Sequence, residues 1–403
     1  MTDAVYSPPH HDDGRAKRAV AILVWAHSIL GAQMPVHFIL GGLAGQMLAA
    51  DPAWATLPIS VTVFGSMCAA PILSTIMGRF GRRTGFIIGA LSGATGAGLA
   101  AYGISEKSFA LLVGGSYLIG IYMSAHGFYR FAAADSASAE FRPKAISWVM
   151  AGGLVAALLG PELVKQFKDW MEPVPFAGGY KVLVFVNLIG MIPLFFLDLP
   201  RQPRPAKGER SGRPWREILS NRTVVVAMIC AMISYALMNL VMTSTPLAMI
   251  ACGFVTDDAA EIVRIHVVMM FLPSFFTGPL IVRYGAPRII SIGLVALAAC
   301  SVVAIMGISF THFGIALGLL GIGWNFGFIG ATALLAGAHL PEERARVQGL
   351  NDFLVFGLVT IASLSSGALM ASIGWEAVNV AMLPFLTVAA LALAWLMMAG
   401  GRR

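Results

Sequence analysis

Charged side chains are scarce in this chain, since only 12% of its 403 residues are Asp, Glu, Lys or Arg while 58% are hydrophobic. A soluble protein of this length needs far more polar surface, so the composition excludes a water-soluble domain. Cysteine is also rare, and the four residues are too scattered along the chain to form a disulfide framework. The sequence lacks a phosphate-binding loop, a dinucleotide-binding fingerprint and a G-x-S-x-G motif, so neither ATP-driven work nor an enzymatic activity is predicted.

What the sequence has instead is a series of long apolar stretches separated by short polar ones. Each stretch is roughly 20 residues long, the length of α-helix that crosses the hydrocarbon core of a bilayer. With this pattern, only helices can satisfy their backbone hydrogen bonds in lipid. The sequence therefore predicts an all-α polytopic membrane protein with twelve transmembrane helices, at residues 19–45, 55–77, 84–104, 108–130, 143–165, 180–199, 222–250, 262–282, 287–309, 311–338, 345–372 and 375–398.

Lys and Arg residues lie almost entirely on one side of the predicted membrane. If the N-terminus is cytoplasmic, only five of the 27 fall on the opposite side: Lys107, Lys165, Lys168, Lys181 and Arg264. Because cytoplasmic loops of membrane proteins carry such an excess, we expect both termini in the cytoplasm and the protein in a bacterial inner membrane. The net charge of +7 then reflects topology, and nucleic acid is not expected as a partner.

Changes in composition divide the chain into four parts. Residues 1–18 are polar, contain no visible cleavable signal peptide and are predicted to form a disordered cytoplasmic tail. Residues 200–221 form a cytoplasmic basic linker that is rich in Pro and Gly. This linker separates an N-terminal six-helix half, residues 19–199, from a C-terminal six-helix half, residues 222–403.

The two halves resemble each other at matching positions. Gly81 and Gly285 follow the second span of their halves and are 204 residues apart, as are Arg142 and Arg346 before the fifth span. Two related halves with a binding site between them are typical of secondary transporters.

The turn Gly78-Arg79-Phe80-Gly81-Arg82-Arg83, with the twelve spans and the central linker, resembles the major facilitator superfamily over the whole chain. The resemblance implies the major facilitator fold, secondary transport and a monomer. The turn departs from the family pattern G-x-x-x-D-R-x-G-R-R, because Ser74 replaces the first Gly and Gly78 replaces the Asp. In the second copy Val282 stands at the acidic position, and the missing acid weakens the charge lock that the family pattern implies.

Two patterns of methionine and histidine occur in neighbouring spans. Met238 and Met242 lie four residues apart in span 7, and His266 and Met270 do so in span 8, so each pair shares one face of a helix. Thioether and imidazole ligands suit Cu(I), and an ionisable residue inside a span is a candidate functional group. The antiparallel spans could bring all four together in the outer half of the bilayer. Each pattern taken alone is better explained by core packing, since Met commonly fills gaps.

Further residues could extend a metal path as a ladder of weak sites, which conduction requires. His27, by contrast, is expected to be a structural hydrogen-bonding residue. The secondary candidates for the metal path are Met34, His37, Met123, His126, Met269, Cys230 and Cys252.

The M-x-x-x-M pattern followed by H-x-x-x-M is similar to the signature of the CcoA-like copper importers, a branch of the major facilitator superfamily. The resemblance implies that Met238, Met242, His266 and Met270 bind copper, which is the transported substrate, and that no prosthetic group is needed. It also implies copper supply to a cbb-type cytochrome oxidase, and we expect a cytoplasmic copper chaperone or a P-type copper ATPase as partner.

Two alternatives to copper import stay open at this point. A neighbouring branch of the same family is implicated in riboflavin uptake, so the substrate could be an organic solute, with Trp324 and Phe326 stacking on it. The chain could also be an assembly factor that supports oxidase maturation without moving a solute.

Several charged residues are candidates for coupling or gating. Asp352 lies about two turns into span 11, where it could titrate and couple transport to protons, or simply pair with an Arg on the cytoplasmic side. Arg130, at the inner end of span 4, is predicted to be a gate or an anchor. Arg79 is a further candidate for gating because it lies in the Gly78–Arg83 turn.

Overall fold

The computed structural model describes residues 13–51, 54, 57–199 and 212–400. Within these residues it contains twelve helices or helix pairs that are long and apolar enough to cross a membrane, and they coincide with the twelve predicted spans. The prediction of an all-α protein in two six-helix halves is therefore confirmed.

The helices of the N-terminal half form spans 1 to 6. They are Asp13–Leu30 and Gln33–Leu48 (span 1), Leu57–Phe80 (span 2), Arg82–Ser105 (span 3), Phe109–Gly127 and Tyr129–Ser136 (span 4), Arg142–Phe167 (span 5), and Ala177–Gly190 with the 3-10 helix Ile192–Phe196 (span 6).

The helices of the C-terminal half form spans 7 to 12. They are Arg222–Ala251 (span 7), Thr256–Phe271 and Ser274–Tyr284 (span 8), Ala286–Met306 (span 9), Phe310–Trp324 and Gly330–Ala336 around the π-helix Asn325–Ile329 (span 10), the 3-10 helix Pro341–Glu343 and Arg344–Ser372 (span 11), and Trp375–Val380 and Met382–Gly400 (span 12).

The predicted tail and linker differ from the structure at their edges. Span 1 begins at Asp13, inside the predicted tail, and the rest of the tail lies outside the described residues. The linker lies largely outside them too, but it ends in the short helix Trp215–Ser220. The helix that begins at Asp13 runs directly into the apolar part of span 1, whereas Trp215–Ser220 is separated from span 7 by Asn221 in an extended conformation.

The internal repeat predicted from the sequence is visible in the backbone of two turns. Gly81 and Gly285, which join spans 2 and 3 and spans 8 and 9, have φ angles of +95° and +85°. Only glycine adopts this region without strain, so both halves use the same glycine turn to reverse the chain.

Replacing Gly81 or Gly285 by Ala is expected to lower stability by about 1 kcal/mol or more each, because an L side chain disfavours positive φ. A Cβ at Gly81 would meet nothing within 4 Å, so the cost would come from the backbone alone. Thermal unfolding in detergent would measure it. Gly98→Ala is the matched control, since a Cβ there would make an ordinary contact 3.8 Å from Val184; equal losses in all three variants would contradict the prediction.

Spans 1, 4, 8 and 10 depart from a continuous α-helix partway along their length. Span 1 breaks between Leu30 and Gln33, span 4 at Phe128, and span 8 between Phe271 and Ser274, while span 10 widens into a π-helix. Breaks expose backbone groups, which a membrane tolerates only where protein or a cavity satisfies them. Discontinuous helices of this kind form the binding sites of many secondary transporters.

Two seams join the halves, span 2 against span 11 and span 5 against span 8. Each seam sets a serine against a glycine: Ser74 faces Gly349, where a Cβ would lie 2.8 Å from the Ser74 Cβ, and Ser147 faces Gly278 in the same way. Ser74 Oγ donates to the Ala345 carbonyl, and Ser147 Oγ accepts from the Gly278 amide at 2.9 Å. The small side chains let the helices of the two halves approach closely.

Candidate functional site

Five aromatic side chains of the C-terminal half form a continuous group where the halves meet. We call this group the aromatic wall; it consists of Tyr235, Phe271, Trp324, Phe328 and Phe356. The rings of Trp324 and Phe328 are stacked at 5.2 Å with an interplanar angle of 20°. Tyr235 packs edge-on against both, at 5.6 Å and 5.1 Å. Phe271 lies 5.9 Å from Trp324, and Phe356 lies 6.2 Å from Tyr235.

The wall is positioned by the interruptions in spans 8 and 10. Pro273 cannot donate a backbone hydrogen bond, so span 8 breaks just after Phe271. The Asn325 side chain in the π-helix repairs the break, since its Nδ2 donates to the Met270 carbonyl at 2.7 Å and its Oδ1 accepts from Thr277 at 2.6 Å. π-helices recur at functional sites, and this one fixes Trp324 and Phe328 beside the break.

The N-terminal half contributes a polar cluster opposite the wall. We call it the polar triad; it consists of His27 in span 1 and Tyr122 and His126 in span 4. The His27 and His126 rings are 4.2 Å apart at 79°, and the Tyr122 ring lies 5.6 Å from that of His126. Each member has a buried polar atom without a hydrogen-bond partner: His27 Nδ1, Tyr122 Oη and His126 Nε2.

The aromatic wall and the polar triad touch across the interface between the halves. The rings of His27 and Phe271 are 6.2 Å apart at 84°. Phe271 reaches this position because span 5 has glycine there, since a Cβ at Gly153 would lie 2.4 Å from the Phe271 ring. His126, Tyr235 and Phe271 are only half-buried although they lie between the halves. The arrangement therefore sets aromatic rings on one side against unpaired hydrogen-bonding atoms on the other, which are the two kinds of contact that a planar polar molecule uses.

A buried ion pair lies directly beside the wall and joins the halves. Arg130 of span 4 pairs with Asp352 of span 11, and the two side chains are 4% and 0% exposed. The Arg130 guanidinium also lies 4.6 Å from the Phe328 ring centroid. Its Nη1 donates to the Gly127 carbonyl at the break in span 4, at 2.7 Å. Asp352 thus pairs with Arg130 of the other half rather than with Arg346, its neighbour in sequence.

A second polar network joins the halves at the end of the bundle that carries the Arg79–Arg83 turn, which we call the basic end. Arg82 pairs with Asp135 of span 4 and also donates to Gln348 Oε1 of span 11. Arg344 of span 11 lies 3.4 Å from Asp135. Asp135 supplies the acid that the turn itself lacks, so the charge lock is rebuilt with a carboxylate from another helix.

His339 lies at the edge of this network, next to Gln348. Gln348 Nε2 donates to His339 Nε2 at 3.3 Å, and His339 Nδ1 donates to the Leu340 carbonyl at 3.1 Å. Burial lowers the pKa of His339, which favours the neutral imidazole that these two hydrogen bonds require. Arg79 is exposed and lies over the ring of Phe80, whereas Arg82 contacts both Asp135 and Gln348.

The four predicted copper ligands lie in the apolar core of the C-terminal half. Met238 and His266 are buried, and Met242 and Met270 pack against the same core. His266 Nδ1 donates to the Leu317 carbonyl at 3.0 Å, which ties span 8 to span 10 and leaves Nε2 without a partner. Their assignment as ligands stays a prediction from the sequence.

The secondary candidates are dispersed. His37 uses both ring nitrogens, at 2.9 Å from the Tyr180 hydroxyl and 2.7 Å from that of Thr62. Cys230 is buried and Cys252 exposed, and both are free thiols. Met123 is buried beside the polar triad in span 4, whereas Met34 and Met269 are half-buried. Among the described residues, no three His, Cys, Asp or Glu side chains are grouped so that they could hold a metal ion.

Sequence reasoning missed most of the wall and part of the triad. Phe326 was expected to stack on an organic substrate together with Trp324, but it packs against the C-terminal core, and Phe328 is the residue whose ring stacks on Trp324. Residues two apart on a helix point in different directions, whereas residues four apart share a face, so the spacing could have identified Phe328. For His27, Tyr235 and Phe356, which depend on contacts between distant spans, no local signal was available.

Twelve spans in two related halves are an architecture typical of secondary transporters. The sequence profile of the Major Facilitator Superfamily matches residues 19–262, and the chain belongs to this family. The family's members are transporters rather than enzymes.

Individual transporters resemble this chain in sequence or in fold. The riboflavin transporter RfnT of Brucella anthropi is 42% identical over 378 residues, which are 94% of this chain and 95% of that protein. The human organic anion transporter MFSD10 shares the fold, with a TM-score of 0.76 and 14% identity over 96% of this chain and 100% of its own. The transporter FucP in its outward conformation also shares the fold, with a TM-score of 0.75 and 15% identity over 93% of this chain and 98% of its own.

The predicted copper importer function is wrong. It is overturned by the 42% identity, over nearly the full length of both chains, to a protein named as a riboflavin transporter. Membership of the superfamily is confirmed, but placement in the CcoA-like branch is not. The M-x-x-x-M and H-x-x-x-M spacings also suit apolar packing on one helix face. In the structure, Met238 lies in the core of the C-terminal half, and Met242 and Met270 pack against that core.

Proposed function

We propose that this protein is a secondary transporter that takes up riboflavin, or a closely related flavin, across a bacterial inner membrane. The observation that carries the proposal is the meeting of the aromatic wall with the polar triad at the interface between the halves. The relationship to a riboflavin transporter over 94% of the chain supports it.

The chemistry of the site matches a flavin. A flavin has a planar tricyclic ring with two broad apolar faces and a polar edge, and aromatic side chains bind such faces through stacked or edge-on contacts. The wall supplies aromatic surface, and Trp324 Nε1, which is buried without a partner, adds a hydrogen-bond donor. A site that binds a metal would instead gather several ligand atoms around one point.

The charge distribution supports an orientation in the membrane, and the closed end supports a conformational state. We propose that the basic end faces the cytoplasm, with both termini on that side, because most Lys and Arg residues of the loops lie there. Arg130–Asp352 and the Arg82 network hold this end together, so the conformation is closed toward the cytoplasm. Uptake then requires the halves to separate at the basic end by alternating access. One chain supplies both sides of the site, which supports a monomeric transporter in the lipid bilayer.

Uptake of radiolabelled riboflavin by purified protein in liposomes tests the function directly. Wild-type protein is expected to accumulate riboflavin, and Phe271→Ala to reduce uptake at least ~tenfold, since anchoring aromatic residues carry much of a binding free energy. Phe275→Ala is the matched control, because Phe275 lies on the same span and is 49% exposed on the outside of the bundle. Wild-type liposomes that take up no more riboflavin than empty ones would refute the proposal.

A further inference from the structure

The polar triad carries three polar atoms that nothing in the described part of the chain satisfies. They are His27 Nδ1, Tyr122 Oη and His126 Nε2. His27 is 4% and Tyr122 1% exposed, so bulk water does not surround them. Most buried polar side-chain atoms in proteins have a hydrogen-bond partner, and an orphaned one costs folding free energy.

The rings that carry these three atoms are close neighbours, which distinguishes them from isolated packing defects. His27 comes from span 1 just before its break, and Tyr122 and His126 come from span 4 just before its break. Their rings form one connected group, and this group touches Phe271 of the aromatic wall at 6.2 Å. A planar ligand that packed beside Phe271 would therefore have the triad within reach of its edge.

Resting on the proposed function, we propose that His27, Tyr122 and His126 bind the polar edge of the flavin ring, the pyrimidinedione. That edge alternates carbonyl acceptors with an N–H donor. A hydroxyl both donates and accepts, and a neutral imidazole offers one N–H and one lone pair, so the triad can match this alternation. The N-terminal half then selects the flavin by its edge, while the C-terminal half holds the ring by its faces.

This division makes the flavin a link between the halves. A ligand that contacts both halves favours the conformation in which they approach each other, whereas one that contacts a single half has no such effect.

Recognition of the flavin edge by the triad also predicts selectivity among flavins. A flavin methylated at N3 leaves an acceptor of the triad unpaired, and sites built to hydrogen-bond a group discriminate strongly against analogues that lack it.

Tyr122→Phe is the sharpest test, because it removes only the orphaned hydroxyl. Riboflavin affinity of the purified protein, measured by flavin fluorescence quenching, should fall about tenfold, while the thermal midpoint of the ligand-free protein is not lowered. Tyr180→Phe is the matched control. The Tyr180 hydroxyl is paired with His37 at 2.9 Å, so its removal should lower the thermal midpoint and leave the affinity unchanged.

The ratio of affinities for riboflavin and 3-methylriboflavin provides a second measurement that does not depend on the amount of folded protein. Wild-type protein should prefer riboflavin by about tenfold, and His27→Leu or His126→Leu should bring this ratio toward one. If Tyr122→Phe binds as wild type does and both His variants keep the wild-type ratio, the triad does not bind the edge, although riboflavin transport stands. If the wild-type protein binds no riboflavin, the proposed function fails and this inference fails with it.

Discussion

Arg130→Met is expected to abolish riboflavin transport and to lower the free energy of unfolding by about 3–5 kcal/mol, because it leaves a buried carboxylate without its partner. The partner is Asp352, which is fully buried and joins the other half to span 4. Asn351 Nδ2 also donates to Asp352 Oδ1 at 2.9 Å, but an amide does not neutralise the charge. Uptake in liposomes and thermal unfolding in detergent measure the two effects separately.

The double variant Arg130→Met/Asp352→Leu separates a gating role from a structural one. Replacing a buried ion pair by apolar side chains often restores stability, so the double variant should unfold near the wild-type midpoint. Transport should stay lost if the pair must break and re-form in each cycle. Recovery of transport with stability would show that the pair is only structural. Arg264→Met is the control, since Arg264 pairs with Glu261 in an exposed position on one helix.

A crosslink between Ser74→Cys and Gly349→Cys is expected to reduce transport by more than ~tenfold, with recovery on reduction. A Cβ at Gly349 would lie 2.8 Å from the Ser74 Cβ, so a small separation of spans 2 and 11 brings the pair to the ~3.8 Å typical of a disulfide. The crosslink would hold the basic end closed, whereas alternating access requires it to open.

Uptake before and after mild oxidation, and again after dithiothreitol, measures this effect. Each single cysteine variant is a control, in a background where Cys68 of span 2 and the exposed Cys252 are replaced by Ser. Full transport by crosslinked double-cysteine protein would show that spans 2 and 11 do not separate during the cycle.

The fold was predictable because it depends on local and additive properties of the chain. The length of each apolar stretch located twelve spans, and the spacing of Gly81 and Gly285 located two equivalent turns. The breaks in spans 8 and 10 were less visible. Pro273 signals the first, but the π-helix depends on Asn325 bonding to a different span, which local sequence does not encode.

The site was less predictable because it is assembled across the two halves. The spacing of Met238 and Met242 shows that they share a helix face, but not whether that face meets a cavity or the core of its own half. His126 was a secondary candidate for the metal path, yet its nearest ring is that of His27, which was expected only to serve a structural role. Asp352 was predicted either to couple transport to protons or to pair with a cytoplasmic-side Arg, and its pairing with Arg130 became apparent only from packing.

The Asn325 side chain has a consequence for motion. Because it bonds the Met270 carbonyl and Ser274 on either side of the break in span 8, and also accepts from Thr277, it splints the broken helix to span 10. His266 adds a second tie between the same two helices through Leu317. Bonds on both sides of the break resist its bending, so we expect spans 8 and 10 to move together during alternating access. The wall residues Phe271 and Trp324 would then keep their spacing while the two halves move.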